Sequence, residues 1–367
     1  MPFGPLQGVR AGASVEATGA PPGIGLGVEL LGRVLDGLGH PVDGGPSIAH
    51  LPQHGVAGTP PHPLRRARVD TPLALGVRAL DTLVPVGRGQ RLGIFAGSGV
   101  GKSSLLSMVA RNSEADISVI ALVGERGREV REFLENDLGP AGLARSVVVV
   151  STSDEPALVR LRAALTATRI AEWFRDQGRH VVLMMDSVTR FAMAQREVGL
   201  SAGEVPATRG YPPSVFALLP QLLERAGTGE VGSITGLYTV LVEGDDMNEP
   251  VSDTVRSILD GHVVLTRALA TAGHFPSIDV LESVSRVVTA VTTPEQRACA
   301  TGLRQLLAAH RDAKDLLEIG AYVPGSSPLV DRAVALEQPI TGFLRQDVHD
   351  RAPLEDSWAR LHALVDP

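Results

Sequence analysis

The residues best suited to chemistry form one short run, AGSGVGKSS, at positions 96–104. Its three glycines allow the backbone to turn N–H groups onto anionic oxygens, and Lys102 adds a compact positive charge. Ser103 supplies a hydroxyl of the kind that binds Mg²⁺ beside phosphates. The run follows the P-loop pattern G-x-x-x-x-G-K-[ST] except at Ala96, which is harmless if φ there is negative. We therefore predict a phosphate-binding loop made of Ala96, Gly97, Ser98, Gly99, Val100, Gly101, Lys102, Ser103 and Ser104.

Two carboxylates follow apolar, strand-like runs elsewhere in the chain. Asp186 ends HVVLMMD and Glu125 follows ISVIALVG, so both are expected where buried strands emerge from a sheet. One carboxylate there can organise Mg²⁺, and a second can orient and polarise the water that attacks a γ-phosphate. The predicted metal site comprises Ser103, Asp186 and Glu125, with Glu125 also serving the water. Spacing alone equally allows Glu125 to form a surface ion pair with Arg126 or Arg128.

These residues need a sheet to carry them. Six apolar runs alternate with helical stretches between residues 71 and 290, namely RLGIFA, ISVIALV, SVVVVS, HVVLMM, SITGLYTVLV and HVVLT. Continuous rather than alternating hydrophobicity indicates strands that are buried on both faces, as in a mainly parallel sheet flanked by helices. The predicted fold class is therefore α/β.

The sequence divides into three predicted parts. Residues 1–70 are short apolar runs cut by glycine and proline, which indicate a few strands and a linker. Residues 71–290 hold the α/β core. Residues 291–367 are predicted to form a small helical domain, with helical spacing in LRQLLAAHRDAKDLLEIG and LEDSWARLHALV. Its first helix should begin with a capping box, because Thr293 precedes Pro294 and Gln296 lies three residues past the cap.

Composition limits the classes of protein that remain. A net charge of -7 gives no bulk attraction to nucleic acid or to an anionic membrane. The single cysteine, Cys299, cannot form an internal disulfide, which favours a reducing cytoplasm. The start of the chain lacks the charged and apolar regions of a signal peptide. Of the 34 basic residues only Lys102 and Lys314 are lysines, and one of these stands in the glycine-rich loop.

Several longer segments resemble the catalytic subunits of rotary ATP synthases and, more closely, bacterial flagellar protein-export ATPases. They are FAGSGVGKS, GERGREV, MMDSVTRFAMAQREVGL, TRGYPPSVFALLPQLLER, EGDDMNEPVSD, HFPSIDVLESVSRV and AYVPGSSPLVDRA. The resemblance runs from about Leu30 to the C-terminus. It implies a RecA-like core that hydrolyses ATP with Mg²⁺ in a homo-hexamer, with the nucleotide between neighbouring subunits.

The resemblance also implies roles for single residues. Arg126 stands beside the catalytic carboxylate of the GER motif, and Arg190 in DSVTRF braces the site. Arg286 in ESVSRV corresponds to an arginine finger that reaches the γ-phosphate of the neighbouring protomer. Phe275 in HFPSID and Tyr322 in AYVPGSS match aromatic positions that sandwich the adenine, and plain core packing is the alternative for both.

Partners and location are implied in the same way. The acidic loop GDDMNEP resembles a segment that faces the central stalk in rotary relatives, with a solvated turn as the alternative. If the chain energises export of flagellar proteins by a type III apparatus, its expected partners are stalk and regulator proteins, exported flagellar proteins and their chaperones. Nucleic acid is not an expected partner. The expected location is the cytoplasm, at the periphery of the inner-membrane export gate.

The N-terminal part departs from the family's pattern. The family begins with a helix and a small β-barrel, and only the last part of that barrel is recognisable within residues 1–70. Either Met1 is an internal start or the barrel is truncated. In relatives the barrel helps to bind subunits into a ring and the helix meets the regulator, so both functions are in question for this chain.

Four other functions stay open. The nearest is the ATPase of a virulence-type secretion system. An ATP synthase β-subunit differs at GERGREV and YPPS, and a non-catalytic ring subunit would lack the carboxylate of Glu125. An RNA-translocating hexamer would need aromatic platforms and a basic groove, whereas this chain is 4% aromatic and acidic.

Overall fold

The computed structural model describes residues 2–4, 7–19, 21–242, 244 and 246–365. Met1, and Asp245 of the predicted stalk-facing loop, lie outside them. The strands are β1 (Ile24–Gly25), β2 (Val34–Asp36), β3 (Gln53–His54), β4 (Arg91–Ala96), β5 (Ile117–Glu125), β6 (Ser146–Thr152), β7 (His180–Asp186), β8 (Gly227–Thr228), β9 (Ser233–Leu241), β10 (Gly261–Leu265) and β11 (Ile278–Ser285).

The helices alternate with these strands and then continue alone to the C-terminus. They are α1 (Arg78–Leu83), α2 (Lys102–Asn112), α3 (Gly127–Glu132), α4 (Gly139–Ala144), α5 (Ala157–Asp176), α6 (Val188–Ser201), α7 (Pro213–Leu223), α8 (Pro250–Ile258), α9 (Arg267–Thr271), α10 (Val288–Val291), α11 (Pro294–Glu318), α12 (Pro328–Ala335), α13 (Glu337–Leu344) and α14 (Leu354–Val365). Short 3-10 or π turns cover Val28–Leu30, Phe133–Leu138 and Thr208–Gly210. Among the described residues, no helix combines the length and apolar character needed to cross a bilayer.

All six predicted strands are confirmed, as β4, β5, β6, β7, β9 and β10. Strand β11 was not predicted, because its sequence IDVLESVS intersperses polar residues among apolar ones and lacks the continuous apolar run of the others. Its buried residues are Ile278, Val280, Ser283 and Ser285, so two of the four buried positions are polar.

The chain folds as two compact units. The first comprises Met1–Arg68, Gly89–Gly93 and Ala115–Leu259, and the second comprises Val69–Arg88, Ile94–Glu114 and Asp260–Pro367. Strand β4 is divided between them. These units do not test the predicted domain boundaries near residues 70 and 290, which stay predictions.

The first unit is built on a parallel sheet. Strands β9, β7, β5, β6 and β2 lie side by side in that order, and each neighbouring pair is parallel. Helix α5 packs against β5, β6 and β7, and α6 packs against β5 and β9. Val119, Ile120 and Val148 are therefore fully buried, as their continuous apolar runs indicate. The predicted mainly parallel α/β core is confirmed.

Part of the N-terminal region belongs to this sheet. Strand β2 lies at its edge beside β6, with Val34 opposite Val148. The Arg33 guanidinium donates to both carboxylate oxygens of Asp43, with Nε–Oδ2 and Nη2–Oδ1 distances of 2.8 Å. This fork holds the pKa of Asp43 well below its usual range. The pair fixes the turn that follows β2.

The second unit carries an antiparallel pair and the C-terminal helices. Strands β10 and β11 pair with Gly261 opposite Ser285. Helix α11 packs against α12 and α14. Its predicted capping box is confirmed, because Thr293 Oγ1 accepts the Gln296 N–H at 3.2 Å and Gln296 Oε1 accepts the Thr293 N–H at 2.9 Å.

A buried carboxyl closes the turn before α1. The two oxygens of Asp81 accept the N–H groups of Leu75 at 2.8 Å and Gly76 at 2.9 Å. Asp81 is almost fully buried, and desolvation raises its pKa to about 7, with a smaller contribution from Glu114. The two backbone hydrogen bonds favour the charged form and oppose this rise.

Asp81 should therefore make stability depend on pH. Its pKa rises from an ordinary 3.8 to about 7 on folding, so the folded state binds the proton more tightly. The resulting stabilisation is present below pH 4 and is lost as the pH rises through 7. We expect the free energy of unfolding of the wild type, relative to Asp81→Asn, to fall by about 4 kcal/mol over that window.

Urea unfolding of both proteins between pH 4 and pH 8 measures this difference. Asp312→Asn, on an exposed part of α11, is the control for loss of a surface carboxylate. A wild-type advantage over Asp81→Asn that stays constant with pH would show that Asp81 does not titrate in this range.

Candidate active site

The glycine-rich loop joins β4 directly to α2 in the second unit. Strand β4 ends at Ala96, and α2 begins at Lys102. Gly99 and Gly101 have φ values of 76° and 90°, which residues with a side chain rarely adopt. Arg209 is the one non-glycine residue with positive φ in the described part of the chain, so the condition set for Ala96 is met.

The predicted adenine residue Phe275 lies against this loop. A Cβ added at Gly101 would be 3.3 Å from Cδ1 and Cε1 of the Phe275 ring, so the ring packs where glycine leaves space. Phe275 nevertheless remains 45% exposed, which leaves part of its face free to stack on a base. Its stacking role stays a prediction.

The predicted carboxylates lie in the first unit, at the carboxyl ends of two neighbouring strands. Asp186 ends β7 opposite Leu122 of β5, and Glu125 ends β5 three residues later. Asp186 is only 2% exposed, and its Oδ1 accepts the Thr239 hydroxyl at 2.7 Å from β9. Thr239 thereby fixes the direction of the acid. It was missed from the sequence, where it is one polar residue inside an apolar run.

Arg190 also lies at this edge of the sheet. Its Cβ and Cγ would be 3.0 and 3.1 Å from a Cβ added at Gly124, which has a φ of 73°. Gly124 therefore has two reasons to be glycine, a left-handed backbone and the close approach of Arg190. The GER motif thus begins with a residue that lets Arg190 pack against the strand end.

The arginines next to Glu125 have another carboxylate nearby. Arg126 Nη1 lies 3.3 Å from Glu129 Oε1, and Arg128 Nη2 lies 3.8 Å from the same oxygen. Arg126 and Arg128 are 68% and 78% exposed, so these are surface ion pairs. The role of Arg126 stays a prediction.

Two further predicted residues lie elsewhere in the second unit. Arg286 directly follows β11 and is exposed, with its N–H donating to the Asp260 carbonyl at 3.0 Å. Tyr322 lies between α11 and α12, and its hydroxyl is 2.9 Å from Asp331 Oδ1 and 3.2 Å from the Ser327 carbonyl. These contacts of Tyr322 are local. Its adenine role stays a prediction.

The donor chemistry suits Mg²⁺. Ser103 and Asp186 offer hydroxyl and carboxylate oxygens, and Mg²⁺ prefers one or two carboxylates completed by substrate phosphates and waters. No group of three or more His, Cys, Asp or Glu side chains that could hold a metal occurs within the described ranges. Each of the two residues, taken in its own unit, therefore offers an oxygen of the kind that Mg²⁺ prefers, and their shared role as ligands stays a prediction.

Two family models match the chain. Residues 76–285 match the nucleotide-binding domain of the ATP synthase alpha/beta family. Residues 292–363 match the T3SS EscN ATPase C-terminal domain. Together they cover the glycine-rich loop, both carboxylates and the C-terminal helices.

Full-length comparisons agree with these models. The chain is 54% identical over 365 residues to the flagellum-specific ATP synthase of Bacillus subtilis, covering 100% of this chain and 83% of the relative. It is similar to the assembled type III secretion ATPase EscN of enteropathogenic E. coli, with a TM-score of 0.95, 49% identity and coverage of 100% and 89%. EscN in complex with its central stalk EscO matches with a TM-score of 0.93, 48% identity and coverage of 100% and 88%.

Proposed function

Because the chain belongs to the ATP synthase alpha/beta family, among the flagellum-specific ATP synthases and type III secretion ATPases, we propose that it hydrolyses ATP to energise the export of flagellar proteins. The observation that carries this proposal is the 54% identity, over the whole of this chain, to a flagellum-specific relative. The glycine-rich loop of this chain is also intact. The loop supplies the nucleotide site, and the C-terminal domain supplies the secretion-specific part.

Phosphate binding is assigned to the loop and to the start of α2. The helix begins at Lys102, so the partial positive charge of roughly +0.5 at its N-terminus would face a bound anion. Lys102 would bridge the β- and γ-phosphates as a point charge. Ser103 and Asp186 would be the protein ligands of Mg²⁺, and the bound ion would neutralise charge that develops on the phosphate oxygens.

We assign Glu125 to the water that attacks the γ-phosphate, which its carboxylate would orient and polarise. Its carboxylate ends β5 and remains partly accessible, so it can accept a hydrogen bond from water and later the proton. Arg190 packs against the preceding residue, Gly124, and we assign it the role of bracing this end of the strand.

Replacing Glu125 by glutamine tests this role. We expect Glu125→Gln to leave the affinity for ADP nearly unchanged while ATP turnover falls by roughly 10²-fold, since the amide keeps the shape but loses the base. Phosphate release and ADP titration measure the two quantities. Glu129→Gln, in the neighbouring surface ion pair, is the matched control and should retain turnover. Equal losses of binding and turnover in Glu125→Gln would instead assign Glu125 to structure.

Assembly into a ring is part of the proposal. EscN is similar along the full chain and is known as an assembled ATPase, and Arg286 is exposed directly after β11. We assign Arg286 to the nucleotide of a neighbouring subunit. The partners proposed with the ring are a stalk protein, of which EscO of EscN is one example, regulator proteins, and exported proteins with their chaperones at the membrane export gate.

Two measurements test the function as a whole. Purified protein should release phosphate from ATP with Mg²⁺ and should fall to the background rate in EDTA. In a strain that lacks the gene, the wild-type copy should restore flagellar filament protein to the culture medium. Restored secretion of virulence effectors without flagellar proteins would favour the EscN-like alternative, and ATPase activity without either would separate the enzyme from export.

A further inference from the structure

Two carbonyl groups of the glycine-rich loop are held from outside the loop. The Ser277 hydroxyl donates to the carbonyl of Val100 at 2.5 Å, and Arg267 Nη2 donates to the carbonyl of Ser98 at 3.2 Å. Both donors belong to the segment 266–277, which runs from the end of β10 to the start of β11. All these residues lie in the second unit.

Peptide geometry gives these contacts a consequence. In a planar trans peptide unit the C=O and the N–H point in opposite directions. The carbonyl of Val100 shares its unit with the N–H of Gly101, so holding that carbonyl against Ser277 turns the Gly101 N–H to the other side of the loop. Arg267 acts likewise on the unit that joins Ser98 to Gly99.

The hydrogen bond from Ser277 to the Val100 carbonyl is shielded from water. Ser277 and Val100 are each 1% exposed, so water competes little for the hydroxyl or for the carbonyl. Ser277 is itself held, because its carbonyl accepts the Thr266 N–H at 3.0 Å. The neighbouring Phe275 carbonyl accepts the Gln346 N–H at 3.0 Å, which ties the segment to the chain after α13.

We propose that Ser277 is a positioning residue for phosphate binding, with its hydroxyl fixing the Val100 peptide so that the Gly101 N–H faces the phosphates. The proposal rests on the nucleotide site of the proposed function. Arg267 positions the Gly99 N–H in the same way. Because Arg267 is exposed to solvent, its contribution to phosphate affinity is smaller.

The size of the effect follows from the bond that is lost. Without the hydroxyl the Val100 peptide can rotate, and the loop must be ordered again whenever phosphate binds. We expect Ser277→Ala to weaken the affinity for ADP and for pyrophosphate by about three- to tenfold. Adenosine, which has no phosphate to meet Gly101, should bind as it does to the wild type.

Competition against a fluorescent ADP analogue measures all three ligands on the full-length protein. Ser146→Ala is the matched control, because Ser146 is fully buried and its hydroxyl donates to the Gly142 carbonyl at 2.7 Å in the first unit. It should leave all three affinities unchanged. Ser277→Thr keeps a hydroxyl and should recover most of the loss.

The phosphate-dependent difference is the decisive result. Unchanged ADP affinity in Ser277→Ala, or an equal loss for ADP and adenosine, would overturn the proposal. Should Ser277→Ala not fold, Arg267→Ala at the exposed position carries the test, with an expected loss of about twofold to threefold for ADP and pyrophosphate alone. A wild-type protein that binds ADP but does not hydrolyse ATP would overturn the proposed function and leave this comparison intact.

Discussion

Lys102→Ala should lower ATP turnover to the background rate, a loss on the order of 10³-fold or more. The side chain stands at the first position of α2, where the loop and the helix N-terminus already gather positive partial charge. Removing its ammonium takes away the one full charge that the loop directs at the β- and γ-phosphates, and such charge matters most as the transition state forms. Arginine would not replace it, because the broad guanidinium does not fit a cradle shaped for a point charge.

The chain provides an unusually clean control for this substitution. Lys314 is its one other lysine, and it lies on α11 with 62% of its side chain exposed, 3.6 Å from Glu318. Lys314→Ala removes the same group from a surface ion pair of little energetic value and should leave turnover within about twofold of the wild type. Steady-state phosphate release, with folding checked by thermal unfolding, compares the three proteins. Normal turnover in Lys102→Ala would refute the assignment of the loop.

The fold could be predicted from the sequence wherever burial produces a recognisable run of apolar residues. Strands β5, β6 and β7 are buried on both faces, so continuous apolar runs mark them along the chain. Strand β11 has no such run, because polar residues are interspersed along it and its buried positions include Ser283 and Ser285. Strand β2 is short and flanked by glycine turns, and only its pairing with β6 shows that the N-terminal region enters the sheet.

The candidate site likewise has parts that could be predicted from the sequence and parts that could not. The glycine-rich loop could be predicted because its residues are contiguous and each is required by phosphate chemistry. The parts played by Thr239, Gly124 and Ser277 could not be predicted, because each depends on a contact with a residue that is far away in the sequence. One serine in a 367-residue chain carries no signal until its hydroxyl is seen beside the carbonyl of Val100.

Arg286 poses a different problem, since its contacts within the chain do not explain it. The residue directly follows β11 and is exposed. If it reaches the nucleotide of a neighbouring subunit, Arg286→Ala should slow ATP turnover by roughly 10³-fold or more, in the range seen for arginine fingers in phosphoryl transfer. ADP affinity should change far less, since the finger acts on charge that develops at the γ-phosphate. Arg65→Ala, which removes a 75% exposed arginine from a surface pair with Glu230, should retain turnover.

Mixing two inactive variants decides whether the finger acts between subunits. Arg286→Ala keeps a working loop and lacks the finger, whereas Lys102→Ala keeps the finger and lacks a working loop. In a ring assembled from both, an interface that pairs the loop of the first with the finger of the second is complete, so in an equal mixture about a quarter of the wild-type turnover should return. Native mass spectrometry establishes that mixed rings have formed, and phosphate release is then measured on the same sample. A finger that serves its own subunit predicts no recovery at any ratio, since every subunit would then lack one of the two groups. Activity that stays at background in proven mixed rings would therefore exclude a site shared between subunits.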